Sequence, residues 1–119
     1  MQYVILIYEN PADLALRDDP ERAPAYWGAW SAYSQALAQS GVMVGGNGLL
    51  PPTTATTLRI QDAQRQVQDG PYADTKEQLG GYFVIEAADL DAALDWAARC
   101  PALPAGAVEV RPVMEPPRG

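Results

Sequence analysis

The sequence predicts one α+β domain of order βαββαβ with an extra hairpin inserted before the third strand. Three observations predict it. Tyr3-Val4-Ile5-Leu6-Ile7-Tyr8 and Tyr82-Phe83-Val84-Ile85 are apolar at odd and even positions alike, the mark of strands covered on both faces. Two longer stretches, 24–40 and 89–99, repeat apolar residues at three-to-four spacing between helix start and stop signals. The chain has 119 residues, 48% of them apolar, which is room for a single domain over residues 1–119 with one core.

In chain order, the first strand runs from Tyr3 to Tyr8 and Asn10-Pro11 stops it. Residues 9–22 set Glu9, Asp13, Asp18, Asp19 and Glu21 against Arg17 and Arg22, and read as a solvated loop with room for one helical turn. Pro24 suits the first turn of a helix that ends near Ser40, with Gly41 as its stop. Trp27, Trp30, Tyr33 or Ser34, and Leu37 form its apolar stripe, read as core rather than as a cofactor site. Val42-Met43-Val44 is a short strand entering Gly45-Gly46-Asn47-Gly48, whose glycines suit unusual backbone angles at a strand end. Too little follows them to make a phosphate cradle, since Leu49-Leu50-Pro51-Pro52 opens no helix. Thr56–Ile60 and Gln66–Gln68 are β-prone runs around a polar turn at 61–64, and Asp69-Gly70-Pro71 closes this hairpin. After Tyr82–Ile85, Asp89 is a good N-cap for a second helix with Leu90, Ala93, Leu94 and Ala97 as its buried stripe, closed by Pro101. Val108–Arg111 is the last strand, half-buried by its alternation, with Glu109 and Arg111 on its solvent side or at a dimer rim.

This order is the ferredoxin-like split unit with an inserted hairpin. Two helices cover only one face of such a sheet, so the second apolar face needs another cover. The expected cover is the sheet of a second copy, packed about a two-fold axis into a dimeric α+β barrel. A fold-back of the hairpin or of the C-terminal tail is the rival. The cleft between sheet and loops is the expected small-molecule site.

Composition removes several function classes. Fifteen acids against eight bases give a net charge of −7 and a pI near 4.3, which opposes nucleic acid and anionic membranes as partners. No apolar run approaches the ~18 residues of a membrane-spanning helix, and no basic n-region precedes an apolar h-region, so a cytoplasmic location is expected. Cys100 is the one cysteine and histidine is absent. A Cys/His zinc site, a Ser-His-Asp triad and an imidazole base are thereby excluded, and no metal or cofactor is expected.

Candidate site residues cluster in Asp69–Glu77. Asp69 can act as a general base or ligand anchor, Lys76 can stabilise a developing anion, and Glu77 or Asp74 can share the proton. The plainer reading makes Asp69 a turn-capping acceptor and Lys76 and Glu77 surface or intersubunit charges. Tyr8, Tyr72 and Tyr82, polar-tipped aromatics on or beside strands facing the cleft, are candidate ligand contacts along with Asp74. The three acids match no calcium-loop spacing. Cys100, near a helix C-terminus, is poorly placed to be a thiolate.

The run Asp69-Gly70-Pro71-Tyr72-Ala73-Asp74-Thr75-Lys76-Glu77 resembles the YCII-related family in its DGPF-type branch, with Tyr72 in place of Phe and Asp74 in place of Glu. Matching stretches include Tyr3–Tyr8, Gly48-Leu49-Leu50-Pro51-Pro52, Gly80-Gly81-Tyr82-Phe83, Asp89–Leu94 and Val108–Pro112. The resemblance implies a dimerising ferredoxin-like fold. Some members of the wider group resemble small-molecule enzymes that use a His–Asp pair, a mechanism that a chain without histidine cannot carry over.

Two functions follow as expectations. The first is a non-catalytic homodimeric module that binds a small ligand or has a regulatory role. The alternative is a small-molecule lyase or isomerase that uses carboxylate, lysine and tyrosine groups in place of imidazole.

Overall fold

In the computed structural model, residues 1–73 and 75–116 are described; Asp74, an expected ligand contact, lies outside the described residues. Strand β1 (Gln2–Glu9) is built of β-branched and aromatic residues that suit a pleated surface. Asn10 ends it by capping the short helix α1 (Pro11–Ala15), its side chain accepting from the Asp13 amide at 2.8 Å. A 3-10 turn at Leu16–Asp18 leads to α2 (Ala23–Ser40), which has proline in its first turn and stops at Gly41. Gly41 has φ 83°, an angle that glycine adopts without a Cβ penalty. Strand β2 (Met43–Gly48), the hairpin β3 (Thr56–Gln61) and β4 (Gln64–Asp69), and strand β5 (Gln78–Glu86) follow. Helix α3 (Leu90–Ala97), capped by Asp89 on the Ala92 amide at 2.9 Å, and β6 (Ala107–Pro112) complete the chain.

The main sheet has the order β2-β5-β1-β6 with every neighbouring pair antiparallel, while β3 and β4 form a separate two-stranded sheet. That is the ferredoxin-like order with an inserted hairpin, as the sequence predicts. The hairpin turn is two residues long, Asp62 and Ala63, at φ 53° and 62°, the left-handed pair that matches strand twist.

Strand register decides which side chains make the core. Tyr3, Ile5 and Ile7 share a face with Phe83, Ile85, Val108 and Val110, and pack under Tyr33 and Leu37 of α2 and Ala93 and Ala97 of α3. Each large aliphatic side chain so buried contributes about 1.5–3 kcal/mol relative to exposure. On the other face, Val4, Leu6, Tyr8, Tyr82 and Val84 are only half-buried. The expected second apolar face is therefore present, and among the described residues no helix covers it.

Three expectations need correction. Glu9 does not belong to a solvated acidic loop: it extends the odd-numbered face of β1 and is 1% exposed. The segment after it is largely helical, because Asn10 caps α1 and brings Arg17 back over the sheet. The stripes of both helices are also narrower than expected. Trp27, Leu90 and Leu94 are each about half exposed, since α3 approaches the sheet through the small Ala93 and Ala97 and Trp27 borders a cavity instead of the core. The glycines at 45–48 lie within β2, and Gly46 is needed for close approach: a Cβ there would sit 2.7 Å from the Phe83 ring and the Tyr82 carbonyl.

The molecule is flat, 53 × 47 × 19 Å, with a radius of gyration of 16.3 Å. A compact chain of this length has a radius of about 13.5 Å. The difference reflects the hairpin, in which every residue of β3 and β4 except Thr57 is exposed.

Candidate functional site

Between α2 and one end of the sheet lies a cavity of about 290 Å³. Its walls are Trp27, Trp30 and Phe83, its floor includes Gly48, Gly80 and Gly81, and Ser31 and Ser34 lie about one turn apart on the helix. An edge-to-face series connects this wall to the core: Trp30 meets Tyr33 at 6.3 Å between centroids, and Tyr33 meets Phe83 at 5.5 Å. The Tyr33 hydroxyl donates to the Trp96 carbonyl at 2.9 Å, and burial pushes its phenol well above the usual tyrosine range.

One end of the cavity is polar. Glu9 arrives there because β1 alternates, and its carboxylate is met by two groups from the following helices. The Tyr26 hydroxyl lies 2.8 and 2.9 Å from the two Glu9 oxygens and donates its single proton to that carboxylate. Arg17 donates from Nη2 to Glu9 Oε2 at 3.2 Å and to the Gly80 carbonyl at 3.4 Å, from Nη1 to the Leu49 carbonyl at 2.6 Å, and from Nε to the Tyr26 hydroxyl at 3.0 Å. Its guanidinium also lies 5.2 Å from the Trp27 ring centroid. Gly80 makes room for this cluster: a Cβ would come within 2.8 Å of Glu9 Oε2 and 3.2 Å of Arg17 Nη2.

The cluster's remaining hydrogen-bond capacity lies on Glu9. A guanidinium carries five N–H groups, a phenol one O–H, and a carboxylate about four acceptor positions. Four N–H bonds of Arg17 and the Tyr26 proton are already engaged inside the protein. Glu9 retains unused acceptor positions at the edge of the cavity. Burial, together with the Glu9 carboxylate and against the pull of Arg17, pushes the Tyr26 phenol up to about 12. Tyr26 therefore keeps its proton through the neutral range. The site is a fixed, locally charge-balanced acceptor set against aromatic walls.

The residues expected from the sequence are placed apart. Tyr82 borders this cavity from the sheet, but its register with Leu6 turns its ring to the open face, where its hydroxyl accepts from Asn47 Nδ2 at 2.9 Å. Tyr8 and Tyr72 line a second, shallower groove of about 580 Å³ with Leu49, Leu50, Pro71 and Leu79. Asp69 is exposed at the end of β4 opposite Thr56, Lys76 is exposed, and Glu77 is half-buried. None of these three lines either the cavity or the groove. Gly70, at φ 103°, donates to the Ala55 carbonyl at 2.7 Å and accepts from the Thr57 hydroxyl at 2.7 Å, so the Asp69-Gly70-Pro71 run forms the root of the hairpin. Among the described residues, no group of three or more Cys, Asp or Glu side chains converges as a metal site would require.

Sequence reasoning missed Glu9, Arg17 and Tyr26. The available signal was phase: Tyr3, Ile5, Ile7 and Glu9 share one face of β1, so a carboxylate that continues the core face needs a buried partner.

Comparison with known proteins is consistent with this fold. A family model described as the YCII-related domain matches residues 1–116. A protein of Rhizobium meliloti, named only as uncharacterised, is 37% identical over 117 residues, covering 95% of this chain and 92% of its own length. Among solved structures, 5-chloro-2-hydroxyhydroquinone dehydrochlorinase from Burkholderia phenoliruptrix, in complex with 2,5-dihydroxybenzoquinone, superposes with a TM-score of 0.52 at 18% identity. That likeness covers 98% of this chain and 96% of the other, and it speaks for the fold.

Proposed function

The chain belongs to the YCII-related domain family, and from that premise we propose that it is a homodimeric module that binds a small, planar, hydroxyl-bearing ring compound between α2 and the sheet. The observation that carries this reading is Glu9: a carboxylate 1% exposed, held by Arg17 and Tyr26, with acceptor capacity left at the edge of an aromatic-walled cavity. A volume of about 290 Å³ suits one ring and its substituents, at the small end of ligand sites. A ring hydroxyl donates to Glu9 while the ring packs against Trp27 and Trp30. Arg17 offsets the carboxylate's charge, so the cavity favours a neutral donor over an anion. The dehydrochlorinase with a similar fold is described with 2,5-dihydroxybenzoquinone, a ligand of this shape.

Binding is preferred to turnover because proton transfer needs a group that can change protonation near the working pH. Tyr26, pushed up to about 12, does not. One observation favours the second reading, a lyase or isomerase: the Tyr26 hydroxyl sits 2.8 Å from Glu9, as a proton-passing pair would.

The test is NMR of the indole N–H signals during titration with hydroquinone and with 2,5-dihydroxybenzoquinone. The Trp27 and Trp30 signals are expected to shift saturably, while Trp96, on α3, serves as the internal control. Glu9→Gln is expected to weaken binding by roughly tenfold or more, the effect of losing a charge-assisted hydrogen bond. No saturable shift with either probe, or equal binding in Glu9→Gln, refutes the reading. Steady conversion of a ring substrate, lost in Tyr26→Phe and kept in Asp69→Asn, establishes the second one.

A further inference from the structure

We propose that Ser34 holds a second ligand oxygen across the ring from the hydroxyl that Glu9 accepts, so that the cavity selects rings oxygenated at both ends over rings oxygenated at one. The inference deepens the ring-binding reading above and rests on it. Between Tyr26 and Ala38, the small residues of α2 that do not line the cavity are Gly28, Ala29, Ala32, Ala36 and Ala38, and the two that line it are Ser31 and Ser34. Serine is a poorer helix former than alanine, because its hydroxyl competes for backbone groups. Helix formation therefore does not account for a hydroxyl at these two positions, where the wall of a cavity replaces the solvent or the core.

The two serines are not equivalent. Ser31 is exposed, and its hydroxyl accepts from Gln35 Nε2 at 3.5 Å. Ser34 is half-buried. The side-chain hydrogen bonds of the neighbouring turns engage Tyr33, Gln35 and Ser40, and among the described residues none engages the Ser34 hydroxyl. Among those residues, too, no side-chain polar atom is both sealed from solvent and without a partner. The Ser34 hydroxyl is therefore open, and the space it lines is the cavity. The floor offers it no side chain where β2 meets β5, since Gly48 and Gly81 are paired in register there and both line the cavity. A half-buried hydroxyl with its proton and lone pairs uncommitted is a group that a ligand can satisfy.

The span fits one ring. Tyr26, whose hydroxyl marks the Glu9 end, and Ser34 are eight residues apart on α2, about 12 Å along its axis. A six-membered aromatic ring with oxygens at opposite positions, and a hydrogen bond of about 2.8 Å at each end, bridges about 11 Å. Ser31 lies only about 7.5 Å along the axis from Tyr26, short of that span. The chemistry of the two ends also differs. Glu9 only accepts, so its end takes a donor hydroxyl, whereas Ser34 donates and accepts, so its end takes either a hydroxyl or a carbonyl oxygen. Rings with two opposed hydroxyls and rings with a hydroxyl opposite a carbonyl therefore form one ligand class for this cavity, held between the walls of Trp27 and Trp30.

The test compares hydroquinone with 4-methylphenol, which has the same ring and one hydroxyl but a methyl group in place of the second. Dissociation constants of both probes for the full chain are read from the Trp27 and Trp30 indole shifts. The deciding quantity is their ratio in a variant against the ratio in wild type, in which the probes' difference in hydrophobicity cancels. In Ser34→Ala the preference for hydroquinone is expected to fall about three- to tenfold, the effect of one neutral hydrogen bond, while 4-methylphenol binds as before. Alanine is the better helix former, so the variant keeps its fold. Glu9→Gln weakens both probes alike, because each gives one hydroxyl to Glu9. A ratio unmoved by Ser34→Ala, or one that falls in Ser31→Ala instead, overturns the inference and leaves the ring site standing. Saturable binding of neither probe refutes the ring reading and the inference with it.

Discussion

Arg17→Met keeps an unbranched apolar stem against Trp27 and removes the four hydrogen bonds that the guanidinium makes. Their losses are unequal. The Leu49 carbonyl is at an exposed position where water replaces the guanidinium, and the Gly80 carbonyl still accepts from the Leu49 amide at 2.9 Å. Tyr26 still donates to Glu9. What cannot be replaced is the countercharge of a carboxylate whose side chain is 2% exposed, next to an arginine side chain that is itself 10% exposed. Removing one partner of such a buried pair costs about 3–5 kcal/mol. Glu9→Gln is the milder change, because an amide of the same shape still accepts from Tyr26 and the cation lies nearer the surface.

The double variant Glu9→Gln/Arg17→Met then separates charge from packing. With both charges gone, no uncompensated ion remains, and the loss is expected to fall short of the summed single losses by about 2 kcal/mol, within the range seen for residues in one network. The assay is urea unfolding followed by tryptophan emission, at fixed protein concentration because self-association shifts apparent stability by mass action. Single and double losses that add to within about 0.5 kcal/mol show the pair to be uncoupled. That result, or an Arg17→Met variant within about 1 kcal/mol of wild type, refutes the electrostatic account of the buried cluster.

Two further outcomes test titrating groups. Because Tyr26 is pushed up to about 12 from an ordinary value near 10, its contribution to stability is complete below pH 10 and is lost as pH rises through 12. Thermal midpoints between pH 9 and pH 12 should fall less steeply in Tyr26→Phe, with part of the decline kept because Tyr33 is raised as well; equal slopes refute this. Burial pushes the Cys100 thiol up to about 11, so native protein is expected to be inert to a disulfide reagent at pH 8 and to react once unfolded. Rapid native labelling refutes that placement.

Much of the fold was legible because local chemistry and global topology agree. The two-sided apolar strands, Asn10, Asp89 and Gly41 at element ends, and the turn before Gln64 each point to the element found there. The cavity was harder to read because its residues are far apart in sequence and belong to no motif. Glu9 lies next to a run of surface acids, and only its phase with Ile5 and Ile7 marks it as internal. The charged run at 69–77 is dense in sequence, yet density along the chain is not convergence in space. An extended hairpin end holds Asp69 outside the cavity, and Tyr82, in register with Leu6, turns its ring to the open face of the sheet. Helix periodicity misjudged Leu90 and Leu94 for a related reason. Spacing tells which side chains share a face, whereas the small Ala93 and Ala97 decide how far the contact extends.

The cavity and the open face are joined through one irregularity of the sheet. Register shifts between Ile7 and Tyr8, so that Ile7 pairs with Gly81 and Tyr8 with Leu79, and Gly80 is the extra residue of a bulge. Its carbonyl leaves the β1 ladder and accepts from the Leu49 amide and from Arg17 instead. Consecutive residues of β1 then serve different surfaces: Glu9 borders the inner cavity, and Tyr8 lines the outer groove with Leu49 and Leu50. Arg17 spans both, one nitrogen on Glu9 and another on the Leu49 carbonyl. A ligand that draws on Glu9 therefore acts on the same guanidinium that holds the groove loop. How far Arg17 can move is set at position 80, where the absent side chain leaves room and any larger residue restricts it.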